Sequence, residues 1–221
     1  MARKNKKLGQ YFAELMVVIV GITIAFALES YSENVKQDEK EAQYLRALQA
    51  DLANDISELK EHIDTTNQLI SLTGDMFKFI YMKAPVDSFS RRHVTATYST
   101  PYFSGNNGTY LSMINSGDLN LLSDFELRQA LVKYYTLSYS DLRRADKFVD
   151  ELVSNSMYPY ILKNVAFHPI EDRIEDSTPL KTNEAINLMG SYFNMLANRN
   201  EKYDELVDVC KALDKLISSK L

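Results

Sequence analysis

Glu58 and His62 stand four residues apart, a spacing that puts a carboxylate and an imidazole on one face of a helix. Such a pair supplies two ligands to a metal ion, but a closed site needs four, and no second pair is in sight. The pair therefore reads as part of a solvated helix face. Arg91, Arg92 and His93 form a small basic spot, suited either to an anion or to a solvated loop. His168 precedes Pro169 and has no recognisable partner. Cys210 falls on an apolar stripe, which makes it a core residue rather than a nucleophile. There is no glycine-rich phosphate loop, nucleophile elbow or metal-spaced His/Cys set. The expectation is a non-enzyme with no cofactor and no metal.

Sharper chemistry lies near the start of the chain. Residues 11 to 30, YFAELMVVIVGITIAFALES, follow a basic lead, and Leu15 to Leu28 carries no charge and one hydroxyl, Thr23. Twenty helical residues span about 30 Å, the thickness of a bilayer's hydrocarbon core. Gly21 and Ala25 make a small-x-x-x-small pair, extended by Ala13 on the same side, and such a face lets two helices approach closely. A monomeric anchor with incidental small residues is the competing reading. Glu14, at the cytoplasmic edge, either engages a partner or a proton, or snorkels to Lys6, Lys7 or a lipid amine.

Charge sets the expected orientation. Arg3, Lys4, Lys6 and Lys7 give the first ten residues +4, and the whole chain is −5, which leaves −9 for residues 11 to 221. Lysine and arginine stay on the cytoplasmic side, so the N-terminus is expected inside and the bulk outside. An acidic outer part lacks the concentrated basic face that nucleic acid requires. Ala25-Phe26-Ala27 fits a signal-peptidase site, the alternative to a retained anchor. Against cleavage stand Glu14, where a basic n-region would continue, and a helical pattern that runs on past Ala27.

Three regions follow: a cytoplasmic basic lead (1–10), a transmembrane helix (11–30) and one extracytoplasmic domain (31–221), long enough to bury a core. One cysteine excludes an intrachain disulfide, so stability must come from packing. Ser30 to Thr73 contains neither glycine nor proline, and Leu45, Leu48, Leu52, Ile56, Leu59 and Ile63 recur in steps of three and four. This is one stripe of a long helix near the coiled-coil period, expected to continue straight out of the membrane helix. Gly74 is a candidate break. Residues 84 to 108 read as irregular, with Pro85, Pro101 and Gly105-Asn106-Asn107-Gly108 as turn signals and a short strand in Val94 to Tyr98. A short helix is expected from Tyr110 to Asn115, capped by Thr109 and ended by Ser116-Gly117. Ser123-Asp124-Phe125-Glu126 reads as a capping box opening a long helix that Pro159 ends or kinks. A loop from 164 to 182 precedes a final helix starting near Asn183. The fold class is all-α, a membrane helix continuing into an antiparallel extracytoplasmic helical bundle.

The run Tyr11 to Phe26 resembles the opening of a family of uncharacterised bacterial single-pass membrane-anchored helical proteins. In that family a Glu precedes a Val-Val-x-Gly-Ile-x-Ile-Ala core, and a Tyr-Leu-x-x-Leu-x-x-Asp-Leu pattern follows, here Tyr44 to Leu52. A second similar block comprises Tyr110-Leu111, Asn115 to Leu119, Leu127-Arg128 and Leu131 to Tyr135. Tyr31 stands where the family leads one to expect tryptophan. The resemblance covers about 90 residues, implies a fold and topology, and brings no activity and no functional residues.

Tyrosines concentrate mid-chain. Most fit core filling with the hydroxyl reaching the edge, while Arg91, Arg92, His93, Tyr98 and Tyr102 lie in the irregular segment and are the candidate partner surface. The expected function is a membrane-anchored assembly, scaffold or accessory subunit at the bacterial cytoplasmic membrane. It would contact the lipid bilayer and either a second copy of itself or a partner membrane protein through helix–helix contacts, with no nucleic acid. The alternative is an extracytoplasmic ligand-sensing module relaying through a partner.

Overall fold

The computed structural model describes residues 2–82 and 90–221, with side chains from Tyr11 onward. The side chains of Arg3, Lys4, Lys6 and Lys7, and all of Pro85, lie outside the described residues. Among the described residues the chain is helical, with one isolated bridge between Phe167 and Ile174.

The element that organises everything else is α1, a single helix from Ala2 to Met82. Its 81 residues correspond to about 120 Å at 1.5 Å per residue. No proline interrupts it. Gly74 does not break it either, because neighbouring helical turns hold the backbone and a Cβ there would meet nothing within 4 Å. From Leu45 on, α1 buries a seam of Leu45, Leu48, Leu52, Asp55, Leu59, Thr66, Leu69, Thr73 and Met76. The spacing alternates three and four residues, the stripe that keeps one helix face toward a packed interior.

Against that seam lies α7 (Asn183–Ser218), started by the Thr182 hydroxyl, which accepts from the Ala185 amide. Gln49 bonds Asp214 and Ser218, Asn67 accepts from Asn200, and Phe77 meets Phe193 edge-on. Numbers rise along one helix as they fall along the other, so the two run in opposite directions.

Between them in chain order come α2 (Arg91–Ala96), α3 (Gly108–Ser116), and a long helical stretch built from α4 (Phe125–Lys133), α5 (Tyr139–Leu152) and α6 (Tyr158–Asn164). Two π-turns, Tyr134–Ser138 and Val153–Met157, join these three without a break. Short 3-10 turns occur at Asp118–Leu121 and Thr178–Lys181.

Several local expectations need correction. The segment expected to hold a strand, Val94 to Tyr98, falls mostly in α2: Val94 and Ala96 are buried in a short helix, and isolated from any partner strand a ladder there would leave its amides unpaired. Asn107, not Thr109, occupies the N-cap position of α3, since the Thr109 amide is taken by Asp51. Asp124 caps α4 through the Leu127 amide, while Ser123 turns back to Glu41, so there is no Ser123–Glu126 box. Pro159 neither ends nor visibly breaks its helix. The π-turn just before it shifts the bonding pattern by one residue, so the carbonyl the proline ring would strike is displaced. Gly117 does end α3, in the left-handed conformation at φ +77°.

Candidate functional site

Residues 11 to 40 of α1 are exposed throughout. Within them lies the apolar run that makes this helix long and apolar enough to cross a membrane. The Thr23 hydroxyl donates to the Ile19 carbonyl at 2.8 Å, so the one polar side chain of the run is satisfied inside its own helix. That is what an apolar surrounding demands. Ala13, Glu14, Gly21 and Ala25 are all exposed, and a Cβ at Gly21 would meet nothing within 4 Å. No contact among the described residues requires a small residue there.

Farther along α1, three acids replace solvent for a loop. Asp51, Asp55 and Glu58 are spaced four and three residues apart, which places them on one face. Glu58 accepts from the Ser104 amide and hydroxyl, each at 2.8 Å, and from the Gly105 amide. Asp55 accepts from the Asn106 amide at 2.7 Å, and Asp51 from the Asn106 side chain and the Thr109 amide. The turn chemistry of Gly105 to Gly108 is thus held by carboxylates rather than by a neighbouring strand. Gly105 has φ +65° and passes so close to Phe103 and Tyr139 that a Cβ would lie within 3 Å of both rings.

Asp55 is the centre of this arrangement, with 1% of its surface exposed. The Tyr134 and Tyr139 hydroxyls both donate to its Oδ2, and Tyr134 also lies 2.9 Å from the Cys210 sulfur. Residues five apart do not share a face of a regular α-helix. The π-turn at Tyr134–Ser138 widens the helix and brings both hydroxyls to one carboxylate. Burial pushes the Asp55 pKa above the ordinary aspartate value, outweighing the hydrogen bonds from Tyr139, Asn106 and Tyr134 that pull it down. Burial likewise pushes the Cys210 thiol up to about 12. With so little thiolate, Cys210 is a packed side chain and not a nucleophile.

A cleft of about 540 Å³ opens beside this loop, between the segment 100–104, α5 and the middle of α7. Its floor is Arg199, 1% exposed, whose guanidinium donates to the Pro101 carbonyl at 2.8 Å and to Thr66, and lies 3.7 Å from Asp146. Asp146 also accepts from the Tyr203 hydroxyl at 2.7 Å, and burial raises its pKa. One wall is Pro101, Tyr102 and Phe103, and the opposite wall is α5 with Arg143, Lys147 and Asp150.

Of the residues expected to form a partner surface, Arg91, His93 and Tyr98 make contacts within the chain, and Tyr102 lines the cleft. Arg91 donates to the His168 carbonyl and lies over the Phe167 ring, tying α2 to the 164–182 segment. His93 accepts from the Ser90 amide as part of a capping box. Tyr98 packs edge-on against Tyr158 at 5.3 Å. Arg92 is exposed, and Tyr102 alone of the set lines the cleft, 68% exposed. Local demands explain this: a six-residue helix has no second turn, so its polar side chains serve caps and the neighbouring loop. His62 lies 3.5 Å from Glu58, whose oxygens already serve Ser104 and Gly105, and no group of three metal-ligating residues occurs among the described residues.

The sequence reading missed Asp55, Asp146, Arg199 and Tyr192. The Tyr192 hydroxyl lies within donating reach of both the Ala96 carbonyl at 2.8 Å and the Ser99 carbonyl at 2.7 Å, closing the end of α2 onto α7. One signal existed: each of these residues falls on or beside an apolar stripe, where a polar side chain needs a partner.

Fold and site together define an all-helical protein with one long apolar N-terminal helix. The chain belongs to a family of unknown function, DUF6090, whose profile matches residues 14–180. The match begins at Glu14 and takes in the apolar run, the acid ladder of α1 and the π-turned helix. No curated protein and no solved structure matches the chain.

Proposed function

We propose that this protein is a non-enzymatic, membrane-anchored assembly or accessory subunit. On this reading residues 11–30 cross the bacterial cytoplasmic membrane with the N-terminus inside, and residues 31–221 form an extracytoplasmic helical bundle. The observation that carries it is the continuity of α1: one helix passes from the exposed apolar run into the buried seam with no hinge between them. A rigid rod of that kind transmits position and orientation from a membrane contact to the outer helices. The unbroken helix through Ala25-Phe26-Ala27 supports a retained anchor, because a peptidase needs an extended segment. The open space at Gly21 supports a helix–helix contact on the Ala13–Gly21–Ala25 side, with Glu14 at its cytoplasmic edge.

Native mass measurement of the full-length protein in mild detergent, with and without Gly21→Leu, tests this reading. A defined oligomer or a stoichiometric membrane partner that Gly21→Leu dissociates, with unchanged circular dichroism, is the expected result. A partner-free monomer for both proteins would sink it. The second reading, an extracytoplasmic module that senses a ligand and relays through a partner, is favoured by the cleft over Arg199.

A further inference from the structure

We infer that the cleft between residues 100–104 and α5 binds a short peptide with free termini, its two end charges held by Arg143 and Asp150 and its apolar middle by Tyr102 and Phe103. The inference rests on the second reading above and names its ligand class.

The charges lining the cleft fall into two sets. Arg199 is committed to the fold: it is buried and holds the Pro101 carbonyl, Thr66 and Asp146. Asp146 gives its Oδ1 to Arg199 and Tyr203, and its Oδ2 is buried. Lys147 has Glu151 at 3.5 Å. The two remaining charges are open. Arg143 has no ion pair or hydrogen bond among the described residues, and Asp150 has only a long bond of 3.4 Å from Ser154. Both are exposed and both line the cleft.

Seven residues of helix separate Arg143 from Asp150, about 10 Å of rise. That gap is too long for them to neutralise each other. An extended peptide advances about 3.3–3.6 Å per residue, so three residues span the same distance. A tripeptide carries a carboxylate at one end and an ammonium at the other, complementary to Arg143 and Asp150. The cleft volume of about 540 Å³ suits a ligand of that size. Tyr102 is 68% exposed on the opposite wall, an apolar ring with nothing covering it among the described residues.

A zwitterionic lipid headgroup shares this charge pattern, but the position of the cleft argues against it. The loop above the cleft is fastened to Glu58, and its floor to Thr66. These lie 28 and 36 residues beyond Ser30, which is about 40–55 Å along the helix. The headgroup layer extends only about 5–8 Å past the hydrocarbon core. The peptide therefore comes from the aqueous phase.

The test is isothermal titration of full-length protein in detergent micelles with alanyl-phenylalanyl-alanine, its N-acetyl form and its C-terminal amide. Saturable binding of the free peptide is expected, weakened about tenfold or more by blocking either end. Asp150→Asn should remove the preference for the free amine and Arg143→Gln the preference for the free carboxylate. Both side chains are exposed, so thermal unfolding of these variants should match the parent. If all three peptides bind equally and Arg143→Gln still abolishes binding, the zwitterion assignment is wrong while the cleft remains a ligand site. If none binds saturably up to about 10 mM, a weak limit for any specific site, the peptide assignment falls, while the ligand-sensing reading stands apart from it.

Discussion

Replacing Asp55 tests most of the packing argument at one position. Asp55→Ala removes the acceptor for the Asn106 amide and the Tyr139 hydroxyl, while Tyr134 keeps its contact with Cys210. Each buried donor left without a partner costs about 1–3 kcal/mol, so two cost about 2–6 kcal/mol. Removing a carboxylate that burial disfavours offsets part of this, and the net expectation is a loss of about 2–5 kcal/mol. Asp55→Asn keeps an oxygen for the Asn106 amide and offers an NH2 to a tyrosine oxygen, so it should cost about 1 kcal/mol or less. The pH dependence separates the two further. Because burial raises the Asp55 pKa, the folded state holds this proton more tightly than the unfolded state does. The associated stability is fully present below the unfolded value of about 3.9 and is lost as pH rises through the higher folded value. Asp55→Asn lacks this slope, so the stability gap between parent and Asp55→Asn should shrink as pH rises from about 4 toward neutral. Denaturant melts of the full-length protein in micelles, followed by tyrosine emission, report it directly, since the chain has fourteen tyrosines and no tryptophan. A parent-like Asp55→Ala would refute the reasoning, and so would a gap that widens with pH.

Three further outcomes follow from the same geometry. Gly105→Ala should cost about 2–4 kcal/mol, combining a left-handed backbone with a clash against Tyr139 that Asp55 keeps in place, whereas Gly117→Ala, left-handed but in open space, should cost about 1 kcal/mol. Equal effects in urea melts would contradict this. Asp118, held to about 2 by Lys40, Ser116 and Tyr44, contributes stability present above the usual carboxylate value and lost as pH falls through about 2. Hydrogen exchange around residues 116–121 should therefore accelerate in that acid window, and Asp118→Asn should abolish the step. Arg199→Leu strips Asp146 of its cation and Pro101 of its donor, and should destabilise by about 3–5 kcal/mol in the same melts; a loss below about 1 kcal/mol would show that Arg199 is not the keystone of the cleft floor.

The helices were legible because their signals are local. A glycine- and proline-free run, leucines in steps of three and four and a Ser116-Gly117 stop each act within a few residues. The core seam was less legible. Ile56 and Asp55 both satisfy the spacing between Leu52 and Leu59, and hydropathy favours Ile56. The chain buries Asp55 because Tyr134 and Tyr139 meet it from a helix some eighty residues away. Pro159 misled for a related reason: a local rule forbids it inside a helix, and a π-turn one turn earlier relieves the clash. The surroundings of the expected partner surface were not legible either, because contiguity in sequence does not fix contiguity in space. Arg91 and His93 are consumed by local contacts, and Tyr102 faces a cleft whose other walls come from α5 and α7. The apolar run needed no tertiary information at all, and residues 11–40 remain exposed along their whole length.

The central claim is that one helix serves both as membrane anchor and as the first helix of the outer domain, with its Gly21 side turned to another helix. Nitroxide labels on single cysteines at successive positions from 11 to 40, in full-length protein reconstituted in bilayers, measure this most directly. The native Cys210 is buried with its thiol pushed up to about 12, so it stays unlabelled. Lipid-phase oxygen accessibility is expected from about Leu15 to Leu28 and water accessibility beyond Ser30. Helical periodicity of about 3.6 residues is expected throughout, with minima at the Ala13, Gly21 and Ala25 side. Water accessibility across Leu15 to Leu28, or loss of periodicity between Ser30 and Lys40, would contradict the claim.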